Sequence, residues 1–168
     1  MEYLFRKGTT EDAEGMLALI KKRIDWMNAV GIDQWNNTHY LERYPLDYYQ
    51  NKAEAGQLYV LTEGWDGKIV AGAILYDCDS RWDSMRGILK GSAFYVHNLV
   101  SDTDAKGAGL AMMHAIRELA EKEGLDYLRL DSQVGNSHLE EWYRRLGFVE
   151  VGRCTDGVYH GILREAKI

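Results

Sequence analysis

The sequence predicts a mixed α/β domain, α+β-like, with an antiparallel front and one parallel strand–helix–strand crossover. Three observations lead there. Two β-rich runs, 58–62 and 69–76, flank the turn "EGWDGK", the pattern of an antiparallel hairpin. The run "AFYVHNLV" (93–100), a helical pattern over 107–123 and the run "LDYLRLDS" follow in order, as a parallel crossover requires. Helical and strand patterns succeed one another along the chain without a linker, repeat or low-complexity stretch, so 1–168 reads as one domain.

The elements can be justified in order. Residues 3–6 alternate like a short strand. A helix follows in "TTEDAEGMLALIKKRIDWM". Thr9 and Asp12 have capping-box spacing, Met16, Ile20, Ile24 and Met27 form one apolar stripe, and Gly31 stops it. The next stretch, 32–56, is aromatic and polar and holds the only proline, Pro45, after which 46–55 reads as a short helix. "SRWDSMRGILKGS" reads as an excursion after the hairpin. In the helix of 107–123, Leu110, Met113, Ile116 and Ala120 form the expected buried stripe, closed by Gly124. "NSHLEEWYRRLGF" reads as a helix opened by a Ser137/Glu140 capping box and stopped by Gly147. Two last strands surround "TDG".

Composition excludes several function classes. The chain has 168 residues, 46% of them hydrophobic, enough for a core. Its 20 basic and 26 acidic residues leave a net charge of −6, which argues against a nucleic-acid partner. Cys78 and Cys154 lack metal-ligand spacing, so no metal site or disulfide framework is expected, and free thiols in a reducing cytosol fit them. The start, "MEYLFRKGTTEDAEG", has no apolar signal-peptide core, and no apolar run approaches the ~20 residues that span a bilayer. The expectation is a cytoplasmic protein with no membrane partner.

The informative stretch is "LVSDTDAKGAGLAMMHAI", 99–116. Glycines are poor helix formers, yet Gly107 and Gly109 sit at the mouth of a helix. The first amides of a helix have no acceptor within it and the dipole favours negative charge there. Glycines let backbone approach a ligand, and Lys106 adds a cation, so the turn suits a phosphate. The same glycines would also serve simply to turn the chain. A Walker A loop fails, because the lysine precedes the glycines and no Ser or Thr follows them. A dinucleotide fingerprint is partial. Met112 holds its third glycine position, while Asp131 stands near where a ribose-binding acid would be.

Farther on, "LRLD", Asn136, Leu139 and "WYRRLGF" follow at set spacing, with Asn136 and Tyr143 seven residues apart and Gly147–Phe148 four beyond. At these residues the chain resembles the GNAT N-acetyltransferase superfamily. That family's acetyl-CoA loop, Q/R-x-x-G-x-G/A, is matched by "DAKGAG", 104–109, and "YVHNLV" resembles its fourth strand. The resemblance covers nearly the whole chain in element order, with its specific motifs in 93–150. It implies the acyl-CoA N-acyltransferase fold: a central, mostly antiparallel twisted sheet of roughly six to seven strands, flanked by helices, whose fourth and fifth strands are parallel and splay apart. One position departs. Asp104 stands where the family has Gln or Arg, and a carboxylate repels a pyrophosphate.

The resemblance implies acetyl-CoA as the cofactor and an N-acetyltransferase reaction by direct attack of an amine in a ternary complex. A backbone N–H at Leu99 would face the thioester oxygen, which gains charge during attack. Val100 would touch the pantetheine, and Asp104, Ala105, Lys106, Gly107, Ala108 and Gly109 would hold the pyrophosphate. Asn136 would bond the pantetheine region. Tyr143 would protonate the leaving thiolate, as a phenol with a pKa near 10 can. By periodicity alone Tyr143 shares a stripe with Leu139 and Leu146, the ordinary place of a core aromatic. His97 is the first candidate base, ahead of Asp131, Glu42 and His39, and a water relay would need none of them. Trp26, Trp35, Tyr40 and Trp82 are candidate walls for the acceptor, the primary amine of a small molecule or a peptide. A homodimer is compatible with the resemblance. Two alternatives stay open at this level: a noncatalytic acyl-CoA-binding or sensor domain, and a nucleotide-dependent oxidoreductase using the partial fingerprint.

Overall fold

The structure, a computed structural model, describes residues 2–168. The elements run β1 (Tyr3–Lys7), α1 (Asp12–Val30), a 3-10 turn (Trp35–Asn37), α2 (Tyr40–Arg43), α3 (Leu46–Glu54), β2 (Leu58–Glu63) and β3 (Ile69–Tyr76). A 3-10 segment (Ser80–Met85) follows, then β4 (Ala93–Ser101), α4 (Ala108–Lys122), β5 (Tyr127–Gln133), α5 (Ser137–Arg145), β6 (Val149–Asp156) and β7 (Tyr159–Lys167). The strands make one seven-stranded sheet in the order β1-β2-β3-β4-β5-β7-β6. Pairing is antiparallel for β1–β2, β2–β3, β5–β7 and β6–β7, and parallel for β4–β5. The mixed class, the hairpin of β2 and β3 and the parallel crossover are all as the sequence predicts. No helix among the described residues is long and apolar enough to cross a membrane.

The chain divides into two compact units. One runs to Leu75 and resumes over Asn98–Ile116, and the other comprises Tyr76–His97 and Arg117–Ile168. In the first unit, α1 packs beside α3 and buries Ala13, Met16, Leu19, Ile20 and Met27. Gly72 on β3 lets α1 approach the sheet, because a Cβ there would lie 2.4 Å from the Met16 sulfur. The α1 start uses half of the expected capping box. The Asp12 carboxylate accepts from the Thr9 amide (2.7 Å) and pairs with Arg6 (2.7 Å), but no side chain caps the helix amides. Gly31 closes α1 in the left-handed region, φ 74°.

Two details of the helices correct the sequence reading. Leu110 is 42% exposed, and the buried face of α4 is Ala108, Met112, Met113, Ile116 and Ala120. Leu110 stands two residues from Ala108, about 200° around the helix and so on the opposite side. The cap of α5 is Asn136, whose Oδ1 accepts from the Leu139 amide at 3.1 Å, not the Ser137/Glu140 box. Asparagine is among the strongest N-cap residues, and it sits one position ahead of the serine.

In the second unit β5 is paired on both sides. Ala93–Val96 of β4 run parallel to Tyr127–Leu130, and Tyr127–Gln133 run antiparallel to Lys167–Gly161 of β7. Arg129, buried on β5, bonds Glu165 (2.9 Å), the Tyr95 hydroxyl (2.9 Å) and the Lys90 carbonyl (2.8 Å). These bonds offset its desolvation, since a buried guanidinium must be paired.

Candidate active site

The first unit carries the glycine turn. β4 ends at Ser101, and Asp102 is fixed by its own amide, which donates to the Val70 carbonyl at 2.7 Å. The turn then closes through Ala105 N–H to Asp102 O (3.2 Å) and Ala108 N–H to Ala105 O (3.1 Å). Gly107 has φ +83°, the left-handed region that L side chains rarely adopt, and no atom beyond its chain neighbours lies within 4 Å of where its Cβ would be. So a glycine is needed for backbone conformation and faces open space. Lys106 and Gly107 are exposed, Gly109 is half-buried, and α4 opens immediately after them. The Ala105 and Ala108 amides are used in closing the turn and the Ala111 amide returns to the Gly107 carbonyl, so the amides at Lys106, Gly107, Gly109 and Leu110 are the ones placed for an anion.

The charges around this turn are not what the acidic composition suggests. Lys22 on α1 donates to Asp102 (2.5 Å) and to Asp104 (2.6 Å). Lys68 also donates to Asp102, and the Asp104 amide bonds the same carboxylate at 3.0 Å. Arg23 holds the Ser101 carbonyl at 2.7 Å. Lys22, Arg23, Lys68 and Lys106 outnumber Asp102 and Asp104, so the turn carries an excess of positive charge. Burial alone would raise the Asp102 pKa, but the bonds from Lys22 and Lys68 and the Asp104 amide prevail and hold it far below the usual carboxylate range. A carboxyl with a depressed pKa stabilises the fold above its unfolded pKa of about 4, and the contribution fades as pH falls below that value. Asp102→Asn is therefore expected to lower stability by about 2 kcal/mol at pH 7, the worth of hydrogen bonds to a charged group. Denaturant melts of both proteins from pH 7 to pH 3 check this: the gap should shrink in acid, and a pH-independent gap counts against it.

Upstream on the same strand, Asn98 is buried and left-handed, φ 53°. Its amide nitrogen donates to the Tyr40 hydroxyl (2.6 Å), and its oxygen accepts from Tyr48 (2.8 Å). A left-handed residue inside a strand breaks the regular ladder and re-aims the backbone that follows, here Leu99 and Val100. Leu99 is half-buried and Val100 buried. Trp35 stacks on Tyr40 at 4.5 Å, and Tyr44 and Tyr48 extend the row with centroid spacings of 4.7 and 4.9 Å. Trp26 lies at the surface of α1 with Arg23 over its ring. His39 and Glu42 form an exposed pair at 3.6 Å.

The second unit carries Tyr143 on α5. The ring is buried and packs on Trp142 and Phe148, with centroids 5.1 and 5.6 Å away. Burial, and then the charge of Asp131, push its pKa above the phenol value, so it is protonated at neutral pH. Asn136 is spent in part on capping α5. His97 Nε2 lies 3.3 Å from Arg81 and 3.8 Å from Asp79. Arg81, which the sequence did not single out, also bonds Asp131 (3.0 Å) and Asp156 (3.2 Å) and lies over the Tyr159 ring. The Tyr159 hydroxyl donates to Asp131 at 2.5 Å. Asp79, His97 and Asp131 each place one ligand atom within 4.8 Å of the others, a spacing a metal would accept. The Arg81 guanidinium, bonded to two of the three, competes with any cation for that position. Trp82 is buried against Tyr95, edge-on, with ring centroids 5.5 Å apart.

A model of the acetyltransferase (GNAT) family matches residues 18–148. The chain belongs to the acetyltransferase (GNAT) family. It is 26% identical over 157 residues to the uncharacterized N-acetyltransferase YesJ of Bacillus subtilis, covering 89% of this chain and 83% of that one. Solved GNAT structures share the fold. The PaiA N-acetyltransferase of Thermoplasma acidophilum, in complex with coenzyme A, superposes with a TM-score of 0.75 at 18% identity over 100% of both chains. A GNAT acetyltransferase of Streptococcus agalactiae does so with 0.78 at 17% identity, over 99% of this chain and 95% of that one. The fold class and N-acetyltransferase activity of this GNAT chain agree with the sequence reading. The dinucleotide reading of its glycines falls, and Asp131, the acid that reading needed, is engaged by Arg81 and Tyr159.

Proposed function

We propose that this GNAT acetyltransferase uses acetyl-CoA to acetylate a primary amine of a small molecule or a peptide, by direct attack in a ternary complex. The observation that carries the reading is the left-handed, unobstructed Gly107 at the mouth of α4, in a turn with excess positive charge. That donor set fits a pyrophosphate: amides for its oxygens, cations for its charge and no side chain in the way. Acetyl-CoA supplies a thioester, whose oxygen gains negative charge as the amine attacks.

The residues divide the work as follows. In the turn 104–109, Lys106, Gly107 and Gly109 hold the pyrophosphate through main chain, while Asp104, Ala105 and Ala108 use their amides to shape the turn around it. The Leu99 N–H donates to the thioester oxygen, aimed by the left-handed Asn98 before it, and Val100 lines the pantetheine. Asn136 bonds the pantetheine. Tyr143, kept protonated by burial and the nearby Asp131 charge, gives its proton to the thiolate. His97 takes the proton of the attacking ammonium, and Trp26, Trp35, Tyr40 and Trp82 wall the acceptor. Both cysteines are free, which suits a reducing compartment, and we place the protein in the cytoplasm. A homodimer remains part of the proposal by family likeness.

The test is thiol release from acetyl-CoA with a panel of amines, amino acids, polyamines and peptides. Turnover that depends on one acceptor class supports the reading. Tight CoA binding with no turnover on any amine would replace it with a noncatalytic acyl-CoA sensor.

A further inference from the structure

Lys22 joins α1 to the glycine turn across 80 residues of sequence. Its ammonium lies within hydrogen-bond distance of two carboxylates, Asp102 and Asp104. The two carboxylates differ. Asp102 is buried and has a second cation, Lys68, and a backbone amide to satisfy it. Asp104 is solvent-exposed, its side chain 79% accessible, and Lys22 is the cation paired with it. Asp104 also opens the very turn whose amides are assigned to an anion. Unpaired, its charge would stand beside a pyrophosphate and oppose it, and only partly screened, because the two would lie within a Debye length of about 8 Å.

We propose that Lys22 is the positioning residue of the cofactor turn: it neutralises Asp104 and ties it to Asp102, so that a turn opening on a carboxylate still binds a pyrophosphate. This deepens the proposed function and rests on it. Three features of the pairing serve the role. The Lys22 ammonium is raised in pKa by its bonds to Asp102 and Asp104, so it stays charged throughout the physiological range. It emanates from a 19-residue helix, a firmer platform than the turn itself. And the Asp104 amide donates to the same Asp102 carboxylate that Lys22 bonds, so the backbone and the side chain of Asp104 are held at one point.

The experiment is a double-mutant cycle read by calorimetric CoA titration, with Tm recorded for each protein. The variants are Lys22→Met, Asp104→Gln, the double variant and Lys22→Arg. Lys22→Met is expected to weaken CoA about tenfold, as loss of one charge neutralisation near a phosphate implies. Asp104→Gln should bind CoA at least as tightly as wild type. In the Asp104→Gln background, Lys22→Met should cost less than about threefold, because the charge it neutralised is gone. Lys22→Arg should stay near wild type. Steeper salt dependence in the Asp104→Gln protein, where net positive charge is greater, should accompany these values. An equal loss from Lys22→Met in both backgrounds overturns the proposal, since Lys22 would then act on the ligand or the fold directly. So does weakened binding in Asp104→Gln, a variant that does not depend on the folding of Lys22→Met. Absence of CoA binding in the wild type itself is a separate failure, that of the acetyl-CoA reading.

Discussion

Tyr143→Phe is expected to lower kcat by about 100- to 1000-fold, the usual worth of a positioned general acid. The Kd for CoA should stay within about threefold of wild type, because the lost proton matters to the transition state and not to binding. The substitution is conservative for the fold. The Tyr143 ring lies between Trp142 and Phe148, and a phenylalanine keeps both contacts. Tm should therefore move by only a few degrees. A pH profile adds a second readout. Burial and the Asp131 charge raise the Tyr143 pKa above 10, so the phenol is in its acid form across the accessible range. Any loss of kcat between pH 8 and pH 10 must then arise from another group. Unchanged kcat in the phenylalanine variant would assign Tyr143 to the core, the role its stripe with Leu139 and Leu146 already offers.

Asn98→Ala is expected to be the most damaging single change to stability among the residues discussed, at about 3 kcal/mol. Two costs add. Asn98 has φ 53°, and a left-handed alanine costs about 1–2 kcal/mol. The Tyr40 and Tyr48 hydroxyls each lose a bond to the Asn98 side chain, and losing a partner at a buried polar group costs about 1–3 kcal/mol. For a domain of this size the two together correspond to a Tm lowered by about 6–12 °C. Asn98→Gly separates the terms: glycine is at ease at positive φ, so it should recover about half of the loss. Equal destabilisation by alanine and glycine would deny the backbone strain. Because Asn98 precedes Leu99, both variants should also lower kcat more than they raise KM for acetyl-CoA.

The sequence made local features legible and missed contacts that join distant segments. The hairpin of β2 and β3, the stop of α1 at Gly31 and the crossover from β4 through α4 to β5 are each written in adjacent residues. The buried face of α4 is not legible at Leu110, because glycines at the helix mouth obscure where the periodicity begins and a shift of two residues reverses the face. The α5 cap falls one position ahead of the expected serine, since Asn136 and Ser137 are both good caps and only geometry chooses. At the site, the glycine turn was legible as a motif but its charge balance was not. Lys22 and Lys68 lie 80 and 34 residues from Asp102, and no periodicity links them. Asp104, the position that departs from the pattern the sequence resembles, pairs with Lys22, 82 residues away. Arg81 lay in a stretch read as a loop excursion, and its bonds to Asp131 and Asp156 span 50 and 75 residues. The left-handed Asn98 had no sequence signal at all inside the apolar run of β4, although asparagine is the residue type that tolerates it.

The most direct measurement is a titration of the isotope-labelled protein with CoA, followed through the backbone amide signals of Lys106, Gly107, Ala108 and Gly109. Saturable shifts of these amides with CoA, and none of comparable size with NAD at the same concentration, are the expected result. CoA that leaves the four amides unmoved, or NAD that moves them equally, would contradict the assignment of this turn as the acetyl-CoA site.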